Sequence, residues 1–277
     1  MTIERTAAQK LQEVSALLAV PNSRITAGGT TFPQDPEEEL HLVDISALEG
    51  LDSIKQKGSR IEIGPLVTLK TLAENKLIQT IVPALAEAAA NAGTEEIRGS
   101  GTLGGNLAHP HPGDTAAALL ASGAKLTIKT DSDYRELLID RFWDKDGKND
   151  LEYDEWITRI TVQIPKGPFS GAAFSKYGRW EQPAEPNIAA AVQLTLDANN
   201  KITSIRGGLR LGSALIQRMF PLEKALKNQT PTEESISKAV RAMVPTAQNY
   251  IDADIITQSL THIINRAADM AQERRAL

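Results

Sequence analysis

The chain has 277 residues, of which 41% are hydrophobic and 23% charged, a composition typical of a soluble protein with one large or two ordinary domains. A net charge of −5 and an aromatic content of 4% argue against nucleic-acid binding, which needs clustered Lys and Arg and often stacking rings. The absence of cysteine excludes disulfides, zinc–thiolate sites and any iron–sulfur cluster held by this chain, and is compatible with a cytoplasmic location. The sequence contains no recognisable signal peptide, so export is not predicted. No apolar run approaches the roughly 20 residues of a membrane span, so a membrane span is not predicted either.

The first part of the chain alternates between helical and extended patterns. Apolar residues recur at helical spacing over residues 6–20 and predict a helix that ends at Pro21. An alanine-rich helix is predicted over residues 83–92, with Pro83 in its first turn and Gly93 as its C-cap. Short apolar or alternating runs predict strands at residues 23–27, 40–45 and Arg60–Ile63.

The second part contains more strands and then ends in helices. Asp114 precedes the helical run Thr115–Ser122 and is the candidate for its N-cap. Asn199-Asn200 predicts the turn of a β-hairpin, and we place a domain boundary at residues 166–168. Strands are predicted at Lys125–Lys129, 157–164, 172–177, 189–196 and Ile202–Leu211. The chain from Glu233 onward is predicted to be helical, with a core-facing stripe of Ile256, Leu260, Ile263, Ala267 and Met270.

Two glycine-containing segments carry the strongest functional signal. The first glycine segment, residues 25–32, contains Gly28-Gly29-Thr30, and the second glycine segment, residues 102–106, contains Gly104-Gly105-Asn106. In both, adjacent glycines stand beside hydroxyl or amide side chains, a combination that suits the oxygens of a diphosphate. Neither fits G-x-G-x-x-G or G-x-x-x-x-G-K-[ST], so a Rossmann or P-loop site is not supported. Each segment alone is compatible with an ordinary turn. The two together predict a site that binds a dinucleotide from two sides.

A series of short motifs runs through nearly the whole chain in a specific order. They are residues 27–30 (Ala-Gly-Gly-Thr), 63–69 (Ile-Gly-Pro-Leu-Val-Thr-Leu), 83–88, 97–98, 102–106, 112–114 (Pro-Gly-Asp), 121–126, 175–179 (Ser-Lys-Tyr-Gly-Arg), Gly212, Arg218 and Glu223. Together they resemble the FAD-binding medium subunit of the molybdenum hydroxylases, the family of xanthine, carbon monoxide and nicotinate dehydrogenases. The chain departs from the family at Asn187, where an acidic residue is usual, at Ser213, where a second glycine is common, and at the unusual His-Pro-His-Pro of residues 109–112.

The resemblance implies an α+β fold. Its first part would be the two-subdomain FAD-binding fold of the vanillyl-alcohol-oxidase (PCMH) type, over residues 1–167. A smaller α+β C-terminal domain of the carbon monoxide dehydrogenase flavoprotein type would follow, over residues 168–277.

The resemblance also implies which residues hold FAD. The two glycine segments would bind the pyrophosphate, Asp114 would accept a hydrogen bond from a ribose or ribityl hydroxyl, Ile157 would lie near the adenine, and Lys176 would lie near the flavin or its phosphate. The full set is Ile25, Thr26, Ala27, Gly28, Gly29, Thr30, Thr31, Phe32, Thr102, Gly104, Gly105, Asn106, Asp114, Ile157 and Lys176. No catalytic residue and no metal site is assigned to this chain, since His109 and His111 alone cannot complete a ligand set.

The implied function is electron transfer within a multi-subunit molybdenum hydroxylase. An iron–sulfur subunit and a molybdenum-cofactor subunit would hold two [2Fe–2S] clusters and the molybdenum cofactor, and the implied assembly is a dimer of heterotrimers. Electrons would pass through FAD to NAD or another acceptor. General resemblance favours a purine substrate, as in xanthine dehydrogenase, with nicotinate, aromatic thioesters and carbon monoxide as alternatives. Two other interpretations remain open: a stand-alone flavin oxidoreductase, and a flavin-free assembly protein of the same fold.

Overall fold

The computed structural model describes residues 3–30, 40–110, 113–130, 132–167, 169–178, 187–212, 215–247 and 252–276. Within these residues the chain forms three β-sheets, with helices packed between and around them. The strands are β1 (Ile3–Ala7), β2 (Ser23–Thr26), β3 (Leu40–Asp44), β4 (Ile54–Lys57), β5 (Arg60–Ile63), β6 (Lys125–Lys129), β7 (Tyr134–Leu138), β8 (Trp156–Gln163), β9 (Ser170–Tyr177), β10 (Ile188–Leu196), β11 (Ile202–Leu211) and β12 (Leu215–Arg218). The α-helices are α1 (Glu13–Leu18), α2 (Leu69–Glu74), α3 (Lys76–Ile81), α4 (Pro83–Ala90), α5 (Glu95–Ser100), α6 (Leu103–Ala108), α7 (Thr115–Ser122), α8 (Phe220–Leu226), α9 (Glu233–Ala247) and α10 (Ala253–Ala276).

The first sheet is parallel, with strand order β1-β3-β2. The helix predicted over residues 6–20 is wrong at its start, because residues 3–7 form β1 and only Glu13–Leu18 is helical. Ala7 pairs with Asp44 in the sheet, so tertiary pairing overrides the local helical periodicity. The Glu13 carboxylate accepts hydrogen bonds from the N–H groups of Gln9 and Lys10, which stabilises the turn that starts the shortened helix.

The second sheet is antiparallel and five-stranded, with order β4-β5-β8-β6-β7. One row of residues across it packs on helices α2, α3, α4, α6 and α7 and forms the first core. β5, β6 and β8 confirm the predicted strands, whereas the edge strands β4 and β7 were not predicted, since most of their side chains are exposed and polar. The buried row consists of Ile54, Ile63, Ile160, Leu126 and Leu137.

The third sheet, with order β12-β11-β10-β9, lies between two layers of helices. Alternate residues of β10 face opposite sides, so that Ala189 and Ala191 join the first core while Ala190 and Val192 pack on α8, α9 and α10. Helix α7 comes so close that a Cβ at Gly208 would lie 2.1 Å from the carbonyl oxygen of Ala117. Small residues therefore let helices approach this sheet on both faces. The predicted hairpin β10–β11 is confirmed.

Helix α10 packs along the third sheet through the predicted apolar stripe. Ile256, Leu260, Ile263 and Ala267 are fully buried, whereas Met270 is only half-buried, because the buried face turns toward Ala268 and Ala271 as the helix continues. None of the helices in the described part of the chain combines the length and apolar character that crossing a membrane requires.

Candidate functional site

A pocket of about 500 Å³ opens between the first two sheets and the helices beside them. Both glycine segments line it. The first contributes Ile25, Ala27, Gly28, Gly29 and Thr30, and the second contributes Thr102, Gly104, Gly105 and Asn106. The volume lies within the range of small-molecule and cofactor sites, which is roughly 300–1,000 Å³.

At Gly28 the first glycine segment packs against the backbone just before the second. A Cβ built on Gly28 would lie 1.9 Å from the carbonyl oxygen of Ser100, a distance that no real side chain tolerates. Gly29 has φ +64°, in the left-handed region that favours glycine. The pair of glycines therefore allows the chain to turn while touching the backbone that leads into the second segment.

The second glycine segment is the start of a helix and not a loop. Thr102 caps α6, its hydroxyl accepting a hydrogen bond from the N–H of Gly105 at 3.2 Å. The N–H groups of Leu103 and Gly104 donate to Val67 and Pro65 at 2.9 and 2.8 Å. The protein itself thus occupies the three N–H groups that a helix N-terminus would offer to a phosphate.

The described residues leave the N–H groups of the first glycine segment without a recorded backbone acceptor. Within the described residues, no recorded backbone hydrogen bond uses the N–H of Gly28, Gly29 or Thr30. Gly28 is half-buried while Gly29 and Thr30 are exposed, so their N–H groups can donate to a ligand with acceptor oxygens in this part of the pocket. The chemistry expected of both segments is therefore concentrated in the first.

Asn106 is fixed in place where it lines the pocket. Its Oδ1 accepts a short hydrogen bond from the hydroxyl of Thr115. A Cβ at Gly113 would lie 2.0 Å from Asn106 Nδ2, so the glycine makes room for the amide. Asn106 presents a locked polar group to a ligand.

Asp114 stands at the N-cap position of α7 but does not cap it, which makes the predicted capping role wrong. Its carboxylate instead accepts hydrogen bonds from Lys176 Nζ at 2.6 Å and Arg210 Nη2 at 2.7 Å. Two strong ionic donors hold it more tightly than a helix N–H would. Asp114 lines the pocket as predicted.

Lys176 and Arg210 occupy different places around Asp114. Lys176 also donates to the carbonyl of Asn91 at 3.0 Å and is not among the lining residues, so it stands behind Asp114. Arg210, which is 3% exposed, lines the pocket directly. Arg210 was not among the residues predicted from the sequence, because an arginine between two leucines of β11 does not by itself indicate a buried site residue.

Residues 149–156, the acidic segment, form another wall of the pocket. Ile157 lines the pocket beside this segment, as predicted, next to Trp156, which is 2% exposed. Arg135 anchors the segment through ion pairs to Glu155 at 2.6 Å and Asp150 at 2.8 Å. The hydrogen bond from Arg135 is the main cause that lowers the pKa of Glu155 below its ordinary value.

The remaining predicted residues divide into three groups. Thr26 is buried in β2 and is not among the lining residues. Thr31, Phe32 and His111 lie outside the described residues. His109 lines the pocket, and no group of three or more His, Asp or Glu side chains in the described ranges could hold a metal ion.

Comparisons with known proteins match the chain to one family. A family model described as FAD binding domain in molybdopterin dehydrogenase matches residues 1–166. The nicotinate dehydrogenase FAD-subunit of Eubacterium barkeri is 30% identical over 216 residues, which are 73% of this chain and 72% of that protein. The xanthine dehydrogenase FAD-binding subunit of Escherichia coli O157:H7 is 28% identical over 246 residues, 84% of this chain and 83% of that protein.

A solved structure resembles the chain over almost its entire length. It is a carbon monoxide dehydrogenase from Hydrogenophaga pseudoflava that lacks the Mo-pyranopterin moiety of the molybdenum cofactor, and it shares 26% sequence identity with this chain. The TM-score is 0.83, with 99% of this chain and 98% of that chain covered. This likeness confirms the predicted α+β fold.

Proposed function

The chain belongs to the family of FAD-binding domains of molybdopterin dehydrogenases, and from this premise we propose that it is the electron-transferring flavin subunit of a multi-subunit molybdenum hydroxylase. FAD is the cofactor of this family. The observation that carries the proposal is one pocket lined by both glycine segments, in which Gly28 packs against the backbone of Ser100 just before the second segment.

The residues of the pocket fit a dinucleotide. Backbone N–H groups of Gly28, Gly29 and Thr30 would donate to the diphosphate, while Asn106 contributes a fixed polar group and Ile157 an apolar surface. These contacts and the others predicted from the sequence all stay predictions; the others are Ile25, Thr26, Ala27, Thr31, Phe32, Thr102, Gly104, Gly105, Asp114 and Lys176. Bound FAD supplies two-electron redox chemistry, and the chain's own work is to bind and orient it.

The absence of cysteine in this chain bears on which subunit of the assembly would hold the iron–sulfur clusters. Because it has no cysteine, the [2Fe–2S] clusters would belong to a partner chain, and a third chain would hold the molybdenum cofactor. We propose that electrons pass from these clusters through FAD to NAD or another acceptor in a cytoplasmic dimer of heterotrimers. We also propose a division into residues 1–167 and 168–277, supported by a family match that ends at residue 166.

The hydroxylated substrate would be chosen at molybdenum, in the partner chain. The relatives named above act on nicotinate, xanthine and carbon monoxide, so the purine expected from general resemblance is one of three substrate classes to test. Activity with each, measured on the complex purified with its partner chains, would distinguish them.

The decisive experiment is a visible absorption spectrum of the purified chain after incubation with FAD and desalting. Retained flavin bands, shifted from those of free FAD, are expected at a 1:1 ratio of flavin to protein. A folded chain that retains no flavin, either alone or co-expressed with its partner chains, would contradict the proposal. Substrate turnover by the chain without partners would instead indicate a stand-alone enzyme.

A further inference from the structure

Among the described residues, a buried cluster of charged side chains beside the pocket contains more positive than negative groups. Lys176 and Arg210 both donate to the single carboxylate of Asp114. Arg210 Nη1 donates to two neutral acceptors, Asn187 Oδ1 at 2.8 Å and the carbonyl of Gly212 at 2.6 Å. In their ordinary ionised forms these groups sum to one positive charge, and among the described residues no second carboxylate bonds to either cation.

The excess positive charge lies at the pocket wall, because Arg210 is one of the residues that line the pocket. The side chains of Asp114 and Arg210 are 6% and 4% exposed, and both residues line the pocket. Arg210 Nε is buried and has no hydrogen-bond partner within the described structure. Burying an unbalanced cation with an unpaired donor is unfavourable, which points to a negatively charged group of the ligand as the missing counterpart.

We propose that Arg210 supplies an uncompensated buried positive charge that attracts an anionic group of the bound flavin nucleotide. This inference rests on the function proposed above. FAD offers two candidate groups: its diphosphate, which is anionic in every redox state, and its ring system, which can gain negative charge on reduction and responds to charge near N1 and N5. Arg210 also fixes Asp114 and so positions Lys176, but its distinctive contribution is the net charge.

Asn187 is the second residue on which the inference depends. Its amide oxygen accepts a hydrogen bond from Arg210 but carries no charge. A carboxylate at the same position would neutralise the cluster. Asn187→Asp keeps the guanidinium and the acceptor oxygen that Arg210 uses, replaces the amide NH2 by a second oxygen, and changes the net charge from positive to zero. It thereby separates the effect of charge from the effect of losing a buried side chain.

The experiment compares Arg210→Gln and Asn187→Asp with a matched control, Arg206→Gln. Arg206 lies on the same strand and pairs with Asp140 at 3.6 Å, and it is not among the residues that line the pocket. For each full-length protein we would measure the dissociation constants of FAD, riboflavin and ADP, and the midpoint potential of bound FAD. Circular dichroism would establish that each variant is folded.

Both test variants should change in the same direction, and Arg206→Gln should match the wild type. If the diphosphate is the anion, FAD and ADP bind about tenfold more weakly while riboflavin binding is unchanged. If the ring is the anion, ADP binding is unchanged and the reduced state is about tenfold less stabilised, which lowers the two-electron midpoint potential by about 30 mV.

Two results would overturn the inference. One is wild-type behaviour of both Arg210→Gln and Asn187→Asp in all four measurements. The other is a change in Arg210→Gln alone, because it would assign Arg210 a hydrogen-bonding role without a role for charge. If Arg210→Gln does not fold, the binding and potential measurements on Asn187→Asp test the inference alone, and wild-type values would overturn it. Failure of the wild-type chain to bind FAD would instead contradict the proposed function.

Discussion

Gly28 shows how one missing side chain can create a binding site. A Cβ at Gly28 would overlap the carbonyl oxygen of Ser100, so only glycine lets the first glycine segment pack against the backbone just before the second. Gly28→Ala should push the segments apart and weaken FAD binding by at least about tenfold, because a Cβ 1.9 Å from a backbone oxygen forces the backbone to move. Isothermal titration with FAD would measure the loss.

Gly99→Ala is the matched control for Gly28→Ala. A Cβ at Gly99 meets nothing within 4 Å, and alanine favours the helix α5 by about 1 kcal/mol relative to glycine. This variant should bind FAD like the wild type. Equal affinity in Gly28→Ala and wild type would show that the junction is not needed for the site.

Single residues also mark the limit of what the sequence predicts. The glycine segments could be found because adjacent glycines next to Thr and Asn form a local pattern. Arg210 could not, because a charged residue in a strand normally faces solvent, and only the fold buries it against Asp114. Likewise, glycines disfavour helix, yet Thr102 caps α6 and Gly104 packs on Pro65.

At the scale of elements, the acidic segment depends on one arginine of β7. The pKa of Glu155 is lowered from its ordinary 4.5, mainly by hydrogen bonding to Arg135. A lowered folded-state pKa contributes stability that is full above the ordinary pKa and is lost as pH falls through the folded-state value. Glu155→Gln should therefore reduce the free energy of unfolding by about 1 kcal/mol at pH 7, and by less as the pH falls below 4.5.

Urea unfolding at pH 7 and at pH 4 would measure this difference. Glu152→Gln serves as the control, because Glu152 lies in the same segment and forms no ion pair with another described residue. Its effect should be small at both pH values. A stability difference between wild type and Glu155→Gln that stays constant with pH would contradict the role given to Arg135.

The elements themselves were predictable where burial imposes a clear pattern. β6, β8, β10 and β11 have long runs of buried residues, and each was found within one or two residues of its bounds. β1 was not, because its side chains are mostly exposed and only pairing with β3 defines it. Edge strands carry little information in their own sequence when their partners lie far along the chain.

At the scale of the whole molecule, an ion pair links helix α10, near the end of the chain, to helix α4 in the first part of the chain. Arg266 on α10 donates to Glu87 on α4 at 2.6 Å, and Glu87 also accepts from the N–H of Phe174 in β9. Arg266→Met should lower the free energy of unfolding by about 1 kcal/mol, since the pair is partly exposed to solvent. Urea denaturation would measure it.

The control for Arg266→Met is Arg241→Met. The guanidinium of Arg241 is recorded donating to Ser237 on its own helix, so its removal should leave the unfolding free energy within about 0.5 kcal/mol of wild type. Equal effects of the two substitutions would mean that the link between α4 and α10 adds nothing to stability.

The third sheet has a consequence for how this chain could be cut or recombined. Its strands give Ala172, Phe174, Ala189, Ala191 and Ile216 to the core beneath the pocket, and β11 also gives the pocket Arg210. A fragment ending at residue 167 would therefore lose part of its interior together with a wall of its binding site. The segment that the family match covers therefore ends before the segment needed for a complete core. If the first 167 residues were exchanged between relatives, the apolar face of the third sheet would have to be exchanged with them.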